Sequence, residues 1–228
     1  MKTFLAIGGH IGDMELTCGG VLAARSLEGD KIVTLALTAG ERGNPKWMTS
    51  AEYKKQKVKE AEEFAKMLKG EAIVLDYPDG ELPYNEEVVF RVAQIIRDVR
   101  PNVIFTHWKK SMHKDHEATY KIVKDASFLA SVYDGDRLKG ERCYAPLYLC
   151  ENWEDRVDFV PYLMVDCTKG YDLWCEALKK HWFIMNSESF KYYDYYTHLS
   201  FVRGCLNKTR NAECFNIEEY QKFQRISF

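Results

Sequence analysis

The first 130 residues alternate between two hydrophobic periods. Short, nearly unbroken apolar runs fall at 2–8, 31–38, 72–77 and 102–107, and they are rich in β-branched residues. Between them lie longer segments that carry apolar residues on one helical face: 13–27, 51–68 (Val58, Ala61, Ala65, Leu68), 86–99 (Val89, Val92, Ile95, Ile96) and 115–130. Pro101 ends the third of these. Strands alternating with helices predict parallel pairing with right-handed crossovers. Strands this uniformly apolar predict helices on both faces of the sheet. Gly19 and Gly20, inside the first helix, predict close packing there. Beyond residue 131 the pattern weakens. Strands are expected at 143–150 and 158–167, a helix at 169–186, and an irregular or interface-forming segment at 191–201 (KYYDYYTHLSF).

The polar residues then fall into register. His10 follows the first strand, TAGERG (38–43) the second, DYPDGEL (76–82) the third, and the stretch from His107 to His116 the fourth. In an open parallel sheet, ligands bind in the crevice beyond the carboxyl ends of the strands. All four clusters are therefore expected on one edge. Four of the six histidines lie in these loops. HIGD pairs a histidine with a carboxylate three residues on, and HKDH (113–116) brackets an aspartate with two histidines. Nitrogen and carboxylate donors suit Zn²⁺, whose catalytic sites use three protein ligands plus water. The plain alternative is surface histidines that only make hydrogen bonds.

Composition narrows the class. With 228 residues, 46% hydrophobic and 29% charged, the chain can bury a core without disulfides. The 32 basic and 34 acidic residues leave a net charge of -2, which gives no electrostatic reason to expect nucleic acid. Seven cysteines, an odd number with no CxxC pair, read as reduced thiols in a cytoplasmic protein. The apolar run at residues 4–7 is too short for a signal sequence, and no stretch approaches the ~18 apolar residues of a membrane span. Gly8, Gly9 and Gly12 do not form GxGxxG, so a dinucleotide fingerprint is missing.

Taken together, GGHIGDMELTCGG, LTAGERG, DYPDGEL, FTHWKKSMHKDHEAT, ALKKHWF and RNAECF resemble, in order, the motifs of the LmbE-like, or PIG-L, family of zinc-dependent N-deacetylases. The resemblance implies an α/β, Rossmann-like sandwich with a mostly parallel sheet flanked by helices. It also implies one domain over 1–228, whose residues 131–228 form a strand/helix elaboration for specificity or oligomerisation. Position by position it implies His10, Asp13 and His116 as zinc ligands, His113 as the group that polarises the substrate carbonyl and protonates the amine, and Asp115 as its orienting carboxylate. It further implies an N-acetylated sugar or sugar conjugate as substrate and a homo-oligomer. Glu41, Lys57, Asp79, Trp108 and His181 are expected around the substrate. For Glu41 the alternatives are a turn residue or a partner of His10. For Lys57 they are substrate contact, where the family carries arginine, or a solvated helix lysine. For Trp108 and Met112 they are a cleft wall or packing against neighbouring loops or another subunit. The tyrosines at 192, 193, 195 and 196 are expected to form a subunit interface, with a sugar-stacking platform as the alternative.

One departure bears on function. The family places an aspartate base immediately before its second ligand, where this chain has Gly12. Loss of a positioned base costs roughly 10²–10⁴-fold. Another group (Glu41, Asp79 or the His113–Asp115 pair) could serve, the substrate could supply a carboxylate, or the protein could bind its ligand without hydrolysing it.

Overall fold

The computed structural model describes residues 1–222. Strands β1 (Thr3–Gly8), β2 (Lys31–Thr38), β3 (Glu71–Tyr77), β4 (Val103–Thr106), β5 (Leu147–Cys150), β6 (Leu163–Asp166) and β7 (Ala212–Ile217) form one sheet. Its order is β3-β2-β1-β4-β5-β7-β6. The first five positions pair in parallel, and β7 runs antiparallel to both β5 and β6. The fold is thus the expected α/β architecture with a mixed, mostly parallel sheet, and the residues after 131 continue the same sheet.

Alternate residues of β1 feed two cores. Leu5 and Ile7 face α4 (Glu86–Val99) and α5 (Lys114–Val132). Phe4 and Ala6 face α2 (Gly19–Leu27), α3 (Ser50–Met67), α6 (Tyr171–Leu178) and α8 (Tyr192–Asn207). Burial on both sides explains why no polar alternation marks these strands.

Three expectations need correction. The helix expected at 13–27 is broken at Cys18 into α1 (Asp13–Thr17) and α2. No local side chain caps α2; instead the Glu213 carboxylate, from β7, accepts hydrogen bonds from the Gly20 and Val21 amides at 2.8 and 2.7 Å. Close packing at Gly19 is against a helix: a Cβ there would lie 2.4 Å from Nε1 of the buried Trp174, which donates to the Glu15 carbonyl. The helix expected at 169–186 is a 3₁₀ turn (Thr168–Gly170), α6 and α7 (Trp182–Asn186), with His181 extended between the last two. The stretch 191–201 is regular helix, the first part of α8. Tyr192, Tyr195, Tyr196 and Leu199 recur at i, i+3, i+4 and i+7, and they pack onto the second core.

Candidate metal centre

The loops after β1, β2, β3, β4 and β5 meet at the carboxyl edge of the sheet. The β1 loop turns tightly. The His10 amide donates to Asp13 Oδ2 at 2.7 Å, and Gly12 adopts φ 110°, a conformation L side chains rarely take.

Around Asp13 Oδ2 stand His10 Nδ1 at 3.2 Å, His107 Nε2 at 3.1 Å and His116 Nε2 at 3.5 Å. A tetrahedral zinc with ligands at about 2.0–2.2 Å has donor–donor edges of about 3.3–3.6 Å. The spacing of His10 and His116 from Asp13 is close to that. The outward nitrogens of both rings meet carboxylates. His10 Nε2 lies 3.1 Å from Asp79 Oδ1 and 3.4 Å from Asp115 Oδ2, and His116 Nδ1 lies 3.0 Å from Asp155 Oδ1. Carboxylates only accept, so those nitrogens carry the N–H; in a neutral His116 the inward Nε2 is then a lone pair facing another lone-pair donor, Asp13, and His10 would face Asp13 in the same way once a metal replaced its second proton. Such an arrangement calls for a cation, and a carboxylate behind a ligating imidazole is the usual way its tautomer is set. Among the described residues three three-residue sets lie within ligating reach: Asp13–His107–His116, His10–His113–His116 and His10–Asp79–Asp115, so His10, Asp13 and His116 each belong to at least one.

The electrostatics show how strongly the cluster draws positive charge. Burial opposes charge on His10, but Asp13, Asp115 and Asp79 hold its pKa well above the ordinary imidazole value. Burial and the adjacent His107 push His116 down to about 4, so it is neutral at pH 7. Burial would raise Asp13, yet His116 and His10 keep it well below the usual carboxylate range. Burial also works against Asp79 and Asp155, whose histidine partners bring each to about 2. At His107, burial opposes charge and the Gly9 amide donates to Nε2 at 3.0 Å, which asks for a lone pair there; Asp13 and Asp155 outweigh both and raise its pKa.

The sequence-derived residues divide in two. His10, Asp13, His113, His116, Lys57 and Asp79 line one cleft of about 190 Å³. Glu41, Trp108 and His181 do not line it. The Glu41 carboxylate accepts from the Asp79 amide at 3.0 Å, so it props the β3 loop and does not touch His10. Trp108 is buried, donates to the Val157 carbonyl and packs edge-on against Phe159, and Met112 is exposed. His181 is buried against Phe64; burial, then the Lys57 charge, lower its pKa to about 3. Asp115 also differs from its expected role. Its carboxylate accepts from the Gly80 amide at 2.7 Å and approaches His10, whereas His113 Nδ1 accepts from the Asp115 backbone amide at 3.2 Å. The reason is helical geometry: His113 caps α5 and Asp115 follows two residues later, where side chains do not face each other.

Other members of the site were not singled out from sequence. Asn152, Trp153 and Glu154, all from the loop after β5, line the cleft, and Asp155 stands behind it. Burial, then the charges of Asp13 and Asp155, raise the Glu154 pKa to about 7. The signal was present: ENWED follows a short apolar run, and the strand-end rule reaches it once β5 is known to be parallel. Phe183 and Tyr192 add aromatic walls. Tyr196 donates to Asn152 Oδ1 at 3.0 Å, which makes it part of the interior and not of a subunit interface. A larger groove of about 630 Å³ between α4 and α5 contains none of the histidines.

This sheet and this histidine–carboxylate cluster place the chain among α/β proteins with a candidate metal site at the carboxyl edge of the strands. Residues 5–127 match the family model PIG-L, GlcNAc-PI de-N-acetylase, and the chain belongs to that family. It is 24% identical over 219 residues to a 4-oxalmesaconate hydratase from Pseudomonas putida KT2440, covering 89% of this chain and 80% of the relative. Among solved structures it superposes on GalB, the 4-carboxy-2-hydroxymuconate hydratase of Pseudomonas putida KT2440, with TM-score 0.87 and 23% identity over 100% of this chain and 99% of that one. It also superposes on N,N'-diacetylchitobiose deacetylase from Pyrococcus horikoshii with TM-score 0.81 and 22% identity, over 95% and 84%. Proteins of this fold thus include one named a hydratase and one named a deacetylase. No helix among the described residues is long and apolar enough to cross a membrane.

Proposed function

We propose that this chain is a zinc-dependent hydratase that adds water across a carbon–carbon double bond of a small unsaturated carboxylic acid. The observation that carries the reading is Gly12. It lines the cleft beside Asp13, and nothing lies within 4 Å of where its Cβ would be. An aspartate there would face the substrate as a charge. At about 6 Å and an effective dielectric of about 20, its repulsion of a substrate carboxylate amounts to roughly 3 kcal/mol. A neutral amide would not feel that term, so losing the charge favours an anionic ligand. Lys57 supports the same choice. It lines the cleft, is 5% exposed, and among the described residues makes one hydrogen bond, to the Gly40 carbonyl at 3.3 Å, so two of its three N–H donors are available to a carboxylate. The hydratase relatives make this substrate class concrete.

His10, Asp13 and His116 would hold the metal. Zinc in such a set polarises a substrate oxygen and makes water nucleophilic near neutral pH. The chain's own residues supply the rest. Lys57 grips the carboxylate, and Phe183 and Tyr192 exclude bulk water on one side. His113, whose Nδ1 is occupied by the Asp115 amide, presents its other nitrogen as a donor toward a substrate oxygen.

The second reading is removal of an N-acetyl group from a sugar or sugar conjugate, and His113 in the cleft wall favours it, because amide cleavage needs a proton donor for the leaving amine. A single experiment separates the two. Zinc-loaded protein is given 4-oxalmesaconate, followed by loss of ultraviolet absorbance as conjugation is broken, and N-acetylglucosamine conjugates, followed by amine release. Hydration without amine release, with KM raised in Lys57→Met, supports the proposal. Amine release alone overturns it in favour of deacetylation, and no turnover of either favours a binding protein.

A further inference from the structure

We infer that Asp155 is a positioning residue shared by two imidazoles, setting the ring orientation of His107 and His116 at once and thereby the shape of the metal centre. The inference rests on the metal reading above and on the geometry around Asp155. Asp155 is fully buried at the end of the β5 loop. Its Oδ2 lies 3.1 Å from His107 Nδ1 and its Oδ1 lies 3.0 Å from His116 Nδ1. The two rings stack with centroids 3.9 Å apart and planes 20° from parallel. Their opposite nitrogens both point to Asp13 Oδ2, at 3.1 and 3.5 Å. The four side chains close a loop: Asp13, His107, Asp155, His116 and back to Asp13.

A carboxylate has no proton to give, so each Asp155 oxygen requires an N–H from the Nδ1 it faces. That condition holds whatever the charge on His107. It leaves His116 Nε2 as the lone pair on the Asp13 side. It also assigns His107 a supporting role, since the Gly9 amide already donates to its Nε2 at 3.0 Å. His107 is held between the Gly9 amide and Asp155 and stacks on His116, and Asp155 fixes this strut and the ligand together. Among the described residues no other carboxylate reaches two histidines through separate oxygens.

Asparagine tests this, because it is isosteric but has one acceptor oxygen and one donor NH₂. It satisfies one ring and opposes the other, which must give up its Nδ1–H. In ¹⁵N-labelled protein, long-range proton–nitrogen correlations report which imidazole nitrogen carries hydrogen, with His107 and His116 assigned from single substitutions. The expected result is Nδ1–H on both rings in the wild type, loss of it on one ring in Asp155→Asn, and zinc affinity about 10–100-fold weaker by chelator competition. Nε2–H alone on either wild-type ring overturns the inference, a readout that needs no variant to fold. So does a folded Asp155→Asn protein with both Nδ1–H signals kept or with unchanged zinc affinity. The metal reading fails separately, if His10→Ala and His116→Ala both retain zinc; the wild-type tautomers, read without zinc, then still decide whether Asp155 orients the two rings.

Discussion

Replacing Glu213 tests how a strand at the far end of the chain stabilises the helix beside the site. Glu213 is 6% exposed and is the acceptor for the first free amides of α2, those of Gly20 and Val21. Glu213→Ala leaves two buried N–H groups without partners, at about 1–3 kcal/mol each, or roughly 2–6 kcal/mol together. Against a typical stability of about 5–15 kcal/mol, that is a large share. Glu213→Gln adds a pH test. Burial outweighs the two amide donors and raises the Glu213 pKa from 4.5 to about 7. A carboxyl whose pKa is higher in the folded state binds its proton more tightly there. Its contribution is therefore complete below pH 4.5 and is lost as pH rises through 7, by about 1.4 kcal/mol per unit, or roughly 3 kcal/mol. Glutamine does not titrate and mimics the protonated acid. Urea unfolding followed by far-ultraviolet circular dichroism at pH 4.5 and pH 8 should show the glutamine variant gaining roughly 3 kcal/mol relative to wild type. An unchanged difference at the two pH values would refute the dominance of burial, and a loss under about 1 kcal/mol for the alanine variant at pH 4.5 would refute the capping role.

Other outcomes follow from single contacts. His10→Ala and His116→Ala should each abolish stoichiometric zinc in equilibrium dialysis, because each removes a donor spaced for the same ion. Gly12→Ala should cost about 1–2 kcal/mol in urea unfolding from its positive φ alone, since its Cβ meets nothing within 4 Å; a neutral result would mean that the β1 loop relaxes. Gly19→Ala should lower stability by about 3 kcal/mol and Tm by roughly 6–12 °C, because Trp174 must leave the Glu15 carbonyl to make room.

The parts legible in the sequence are those fixed by local chemistry. Residues 31–38 and 86–99 stand as β2 and α4 with the expected bounds, since period and breakers agree there. The convergence of the loops on one edge followed from parallel pairing alone. What stayed hidden depends on partners far along the chain. The break at Cys18 needs an acceptor 193 residues away. Asp155 and Glu154 follow a strand of only four residues, just where the sheet turns to antiparallel pairing. Adjacency misled at HKDH, where the aspartate and histidine are neighbours in sequence but the carboxylate turns to His10 and the β3 loop. Helix α8 was obscured by its tyrosines, whose β propensity competes with a helical period that tertiary packing makes decisive.

The charge balance of the centre ties these observations to function. Asp13, Asp79, Asp115 and Asp155 all have pKa values below the ordinary carboxylate range and remain ionised at neutral pH. Burial of several like charges is sustainable only where cations offset them. Lys57 and the histidines provide part of that offset, and a divalent ion between His10, Asp13 and His116 would provide most of the rest. In this setting the residue at position 12 controls how much positive potential is left for a ligand. With a carboxylate there, the metal's charge is consumed by the protein and a neutral substrate is favoured. With Gly12, one negative charge fewer faces the cleft, and the residual field of the metal and Lys57 is directed at whatever enters. A substrate bearing its own carboxylate would complete that balance, and Gly12, where the resemblance implies an aspartate base, is in the proposed function the mark of a site for an acid.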